Sequence, residues 1–94
     1  MSDERILTLH PQGKQGVNIL RSKYEPVRSA MLESLRAAGG ELTHTDLMAA
    51  VAARLTDFPG SVTWYAETVK LDLIARGLLM RSKGSPQILT LVQD

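Results

Sequence analysis

The stretch TWYAETVKLDLIA, residues 63–75, reads as a helix closed by Gly77, and it is apolar on two sides. Stepped at about 100° per residue, Val62, Tyr65, Ala66, Val69 and Leu73 fall on one stripe, and Trp64, Thr68, Leu71 and Ala75 fall on a second, nearly opposite. A helix on the outside of a small domain needs only one apolar face, so something must cover the other. The nearest cover is the chain's own start. Residues 5–20 hold Ile6, Leu7, Leu9, Val17, Ile19 and Leu20 around the loop HPQGKQG. Pro11 disfavours helix before it, and Gly13 and Gly16 permit unusual backbone angles. The pattern predicts two short extended pieces joined by a loop, with apolar side chains to bury and too little mass for a core. The expectation is that this arm packs on the second stripe, in its own chain or exchanged with a partner's.

The remainder reads as three helices followed by a hairpin. Ser22 and Glu25 have capping-box spacing, which predicts a helix starting near Ser22 with Pro26 still in its first turn. Tyr24, Val27, Met31 and Leu35 give it an apolar stripe, widened by Ala30, Leu32 and Ala38, and Gly39-Gly40 ends it. Glu41-Leu42-Thr43 is a short strand or link. Thr43, with Asp46 three residues on, caps a second helix that buries Leu47, Val51 and Leu55. The third helix starts at Ser61 or Thr63. After Gly77 the period changes, and residues 78–82 and 87–92 read as two strands around Lys83-Gly84-Ser85-Pro86, which is turn chemistry. The fold class expected is mainly α with a small antiparallel β-hairpin (α+β): residues 1–21 as an arm, residues 22–94 as the folded unit.

The segments GELTHTDLMAAV and VKLDLIARGLLMRSKGSPQILTL resemble the first strand, second and third helices and wing of the winged helix-turn-helix superfamily. The resemblance covers roughly residues 24–92. The whole chain, including HPQGKQGVNI and SVTWYAETVKLDL, also resembles a family of small bacterial winged-helix proteins of unknown function. The superfamily resemblance implies double-stranded DNA as a partner, with the third helix in the major groove and the wing on the backbone. Base reading needs polar side chains on the helix's outward edge, and phosphate contact needs Lys or Arg. The matching positions are Thr63 and Lys70 on the third helix, Arg81 and Lys83 on the wing, and Lys14, Arg21 and Lys23 as a flanking arm. Between the two stripes, Thr63, Glu67, Lys70 and Ile74 read as outward-facing, and a glutamate there suits phosphates poorly. Trp64, Leu71 and Ala75 suit a different role, an interface with a second copy or another protein.

Charge divides along the chain although the net is only +1. Residues 5–24 contain Arg5, Lys14, Arg21 and Lys23 and no acid. Residues 73–93 contain Arg76, Arg81 and Lys83 and no acid, whereas the middle is acidic. Basic ends of this kind can form a contact surface for an anion. The chain has no cysteine, hence no disulfide, thiol nucleophile or thiolate metal site. Its apolar runs fall far short of the ~20 residues of a membrane span, and its acidic start is unlike a signal peptide. A cytoplasmic protein without membrane attachment is expected. Gly13-Lys14 lacks the upstream glycine and following hydroxyl of a phosphate loop. His10 and His44 stand far apart without further metal ligands, and no serine, histidine and acid are arranged for nucleophilic catalysis. The reading is therefore a binding module, with no enzyme activity, cofactor or metal expected.

Overall fold

Two glycines end two of the three helices by the same hydrogen-bond pattern. In the computed structural model, which describes residues 4–14 and 16–92, helix α1 spans Arg21–Ala37, α2 His44–Arg54 and α3 Val62–Ala75. After α1, Gly39 and Gly40 donate to the carbonyls of Arg36 and Leu35; after α3, Gly77 and Leu78 donate to those of Ile74 and Leu73. This is the Schellman closure, which needs a residue at positive φ. Gly39 (φ 85°) and Gly77 (φ 82°) supply it.

Helix starts agree with the sequence at two places and differ at one. Thr43 accepts from the Asp46 amide at 3.1 Å, and Ser61 accepts from the Trp64 amide at 3.2 Å. The expected Ser22–Glu25 capping box is not formed: α1 begins at Arg21, and its cap position, Leu20, is extended and makes no side-chain cap bond. The reason is the preceding strand. Strand β2 (Asn18–Leu20) runs directly into the helix, and the Arg21 amide donates to the Glu4 carbonyl at 2.7 Å. Pro26 consequently lies in the second turn, where it removes one helical hydrogen bond. Ala38, expected on the buried stripe, sits exposed at the helix end.

The strands form two small antiparallel sheets. Strand β1 (Arg5–Leu7) pairs with β2, Ile6 opposite Ile19. Strands β3 (Glu41–Thr43), β4 (Leu79–Arg81) and β5 (Ile88–Leu91) form a second sheet in the order β3-β5-β4. The core lies between the helices and this sheet. It is built from Val27, Met31 and Leu35 of α1, Leu47 and Val51 of α2, Val69 and Leu73 of α3, and Leu79 and Leu89 of the sheet. Each large side chain buried there contributes roughly 1.5–3 kcal/mol. Leu55, expected beside Leu47 and Val51, is only partly buried at the end of α2. The architecture is thus α+β, and among the described residues no helix is long and apolar enough to cross a membrane.

Candidate interaction surface

Helix α3 is sheathed on both flanks, by two different devices. Its inward stripe, Ala66, Val69 and Leu73, is buried in the core. On one flank lies Asp72, fully buried, which holds three elements at once. Its Oδ1 accepts from the Leu9 amide at 2.9 Å, its Oδ2 accepts from the Tyr24 hydroxyl, and both oxygens lie 2.9 Å from Arg76 Nε. An Arg76 Nη2 reaches the Leu7 carbonyl at 3.5 Å. Burial, with the hydrogen bond to Asp72, pushes the Tyr24 hydroxyl up to about 12 from 10.0. The same Asp72 hydrogen bond raises Arg76 above its ordinary value. A buried carboxylate is costly unless paired and hydrogen-bonded, and Asp72 is both. Its effect is to pin the arm to α3.

The other flank carries a second polar group. Glu67 accepts from Lys70 Nζ at 2.9 Å and lies 3.0 Å from His44 Nε2 at the start of α2. Burial raises the Glu67 carboxyl, but the hydrogen bonds from His44 and Lys70 outweigh that and hold it below the ordinary value. Lys70 is buried, its side chain only 4% exposed. This corrects its assignment as an outward DNA contact: the ammonium is turned into the α2–α3 contact and neutralised there.

Between the flanks lies the second stripe, and the arm does reach it within one chain. The Thr8 amide donates to the Val17 carbonyl at 2.9 Å, extending the β1–β2 pairing. Thr8 Oγ1 also accepts from the Val17 amide at 3.0 Å. Gly16 passes so close to this pair that a Cβ there would lie 1.6 Å from the Thr8 carbonyl oxygen. The turn thus shaped leaves a groove of about 170 Å³ against α3, lined by Leu9, Val17, Trp64, Thr68 and Leu71 among others. The cover is partial. Trp64 remains 46% exposed, Leu9 42% and Val17 39%. Trp64 leans edge-on against Tyr65 at 4.9 Å, which in turn meets Phe58 at 5.1 Å. Ala75 is half-buried at the far end of the stripe.

The remaining candidates for DNA contact are dispersed. Thr63, Lys14 and Lys83 are exposed, and Arg81 is half-buried in β4 opposite Leu89. Lys23 Nζ sits over the Tyr65 ring, 5.5 Å from its centroid. Arg21 pairs with Glu4 at 3.2 Å and lies 4.0 Å from Glu25. Arg21 does share one cleft with Arg28 and Arg76, which Arg81 and Lys83 of the closing hairpin do not line. His10 holds its own loop, accepting from the Gln12 amide at 3.1 Å. Asp72 and the Glu67–His44–Lys70 group were not singled out from the sequence. The available signals were Asp72–Arg76 at i,i+4 and Glu67–Lys70 at i,i+3, spacings that bring opposite charges together on a helix.

These features define a small α+β protein with an N-terminal hairpin fastened across its last helix and a half-covered aromatic groove beside it. The chain belongs to a family of unknown function (DUF6958), whose model matches residues 5–89. No curated protein and no solved structure matches it.

Proposed function

We propose that the protein is a winged helix-turn-helix module that has kept the fold without the DNA-reading surface and works by binding protein, a second copy of itself first of all. Support for the fold comes from element order, three helices with a short strand after the first and a closing hairpin, and from the sheet order β3-β5-β4. The observation that carries the function is the character of the outward face of α3. Where a DNA reader presents polar and basic side chains, this helix presents Trp64, Leu71 and Ala75, while Lys70 is turned inward on Glu67. A part-exposed Trp beside Leu9 and Val17 is the composition of an interface centre, where aromatic anchors are enriched and charges depleted.

Sedimentation velocity over a range of protein concentrations tests this. A dimer that Trp64→Ser weakens supports the reading, whereas a monomer at every concentration removes the homodimer. The exposed Lys83 at the wing turn and Lys14 in the arm favour a second reading, phosphate contact in transcription-related regulation. With those two and Arg81 as contacts, log K for a mixed-sequence duplex should fall against log salt with a slope of about −2 to −3. No binding at low salt ends that reading.

A further inference from the structure

The N-terminal half of α1, strand β1 and the end of α3 flank an open, shallow cleft of about 280 Å³ lined by Ile6, Arg21, Tyr24, Glu25, Arg28 and Arg76. Three of these six are guanidinium groups, drawn from both basic ends of the chain and from its middle. Each presents five N–H donors and no acceptor, and among the described residues only Arg21 Nη1 and Arg76 Nε and Nη2 spend theirs in hydrogen bonds. Arg28 makes no ion pair among the described residues. Arg76 commits Nε to Asp72 and brings Nη2 to 3.5 Å from the Leu7 carbonyl, so its orientation is fixed while Nη1 makes no hydrogen bond to the described residues. Arg21 gives Nη1 to Glu4 in a pair whose side chains are 53% and 63% exposed, a contact of the weak, readily exchanged kind. The first turn of α1 holds no acid and its cap position makes no side-chain bond, so the positive end of the helix dipole adds to the field. Against this stand Glu25 on the wall and Asp72 beneath it, the latter already satisfied by Tyr24, Leu9 and Arg76.

We propose that this cleft binds a doubly charged oxyanion, the phosphate group of a small molecule, held between Arg28 and Arg76 with Arg21 at the rim. A carboxylate fills a single guanidinium fork, whereas a phosphate dianion offers the charge and the oxygens for more than one. Ile6 and the Tyr24 ring supply apolar wall for what the phosphate carries. The volume lies just below the ~300–1,000 Å³ usual for ligand sites, so that remainder is only a few atoms. Because Arg76 also anchors the arm through Asp72 and Leu7, occupancy steadies the N-terminal hairpin.

The test uses the full chain, isotope-labelled, titrated with inorganic phosphate at about pH 8, where phosphate is mostly dianionic, at constant ionic strength. Acetate and propyl phosphate form the parallel arms, and the arginine Nε–Hε resonances are the readout. Saturable shifts at Arg28 and Arg76 with phosphate but not acetate are expected. Arg28→Gln should weaken binding roughly tenfold or more by removing a charge-assisted donor pair, and Glu25→Gln should tighten it. Arg28→Gln is expected to fold, since Arg28 takes part in no ion pair among the described residues. Tighter binding of propyl phosphate identifies an ester as the occupant and equal binding identifies phosphate itself; either upholds the site. Non-saturating shifts, an equal response to acetate, or undiminished affinity in Arg28→Gln overturns it.

Discussion

The backbone amide of Leu9 donates a 2.9 Å hydrogen bond to Asp72 Oδ1, joining the arm to the last helix across 63 positions of sequence. Asp72→Asn keeps the size of the side chain but removes the anion that Arg76 and the Tyr24 hydroxyl engage. The expected loss is roughly 2–3 kcal/mol, below the ~3–5 kcal/mol of a fully buried pair, because the Arg76 side chain stays 37% exposed and keeps its hydration. Chemical denaturation measures the loss. Hydrogen exchange should show the amides of Thr8 and Leu9 losing more protection than those of Val51 or Leu89. Uniform loss across the chain would mean that Asp72 is not specifically an arm anchor.

Tyr24 gives the same group a pH signature. Its hydroxyl is raised from 10.0 to about 12, so between these values the folded state holds a proton that the unfolded state has released. The contribution is fully present below pH 10 and is lost as pH rises through about 12. A rise of that size corresponds to about 2–3 kcal/mol. Wild-type stability should therefore drop across that window, and Tyr24→Phe should be less stable than wild type below pH 10 and lose less above it. Denaturation at a series of alkaline pH values, with phenolate absorbance followed alongside, checks both.

Gly16 is required by contact, not by backbone angle. A Cβ there would sit 1.6 Å from the Thr8 carbonyl oxygen, so Gly16→Ala must push apart the Thr8–Val17 pairing that closes the hairpin. A loss of about 1–3 kcal/mol is expected, the range for overpacking. Gly13→Ala meets nothing within 4 Å but sits at φ 74°, and should cost about 1–2 kcal/mol as a left-handed non-glycine residue. The two variants separate by location in hydrogen exchange: Gly16→Ala should expose Thr8 and Val17, Gly13→Ala only the loop tip.

Local rules were readable in the sequence, and distant pairings were not. The short strand or link at residues 41–43, the Thr43 cap, a third-helix start at Ser61 or Thr63, the stops at Gly39 and Gly77 and the closing hairpin all follow from spacing within a few residues, and the structure has a strand at 41–43 and Ser61 as the cap. The two-sided α3 called for a cover, and the arm loop supplies only part of it, leaving Trp64 46% exposed. The Ser22 capping box failed because Arg21 was already committed to Glu4 across the first sheet, a partnership that no local pattern records. Lys70 failed differently. It lies only about 60° around the helix from Leu73, closer to the buried stripe than its charge suggested, and His44 on another helix completes the environment of its partner Glu67. Asp72 has no local signature of its role because its partners Leu9 and Tyr24 lie 63 and 48 positions away.

The inward turn of Lys70 leads to the last prediction. Lys70 Nζ is buried against Glu67, which also meets His44. Glu67→Gln keeps an amide oxygen that can accept from Lys70 but removes the counter-charge of a buried ammonium, and should cost roughly 1–3 kcal/mol. Replacing the ammonium itself is another matter. Lys70→Met puts an apolar chain of similar length in a buried position, and buried ion pairs exchanged for apolar groups are often neutral or better. Lys70→Met should therefore be near neutral, and adding it to Glu67→Gln should recover most of the loss. The pH dependence has a fixed sign: the Glu67 carboxyl is held below its ordinary value of 4.5, so its contribution is complete above that value and disappears as pH falls through the depressed one. The gap between wild type and Glu67→Gln should accordingly close in acid, as followed by denaturation from neutral pH downward. If Lys70 instead faced solvent, Glu67→Gln would change little, Lys70→Met would rescue nothing, and Lys70→Met would weaken any binding to duplex DNA.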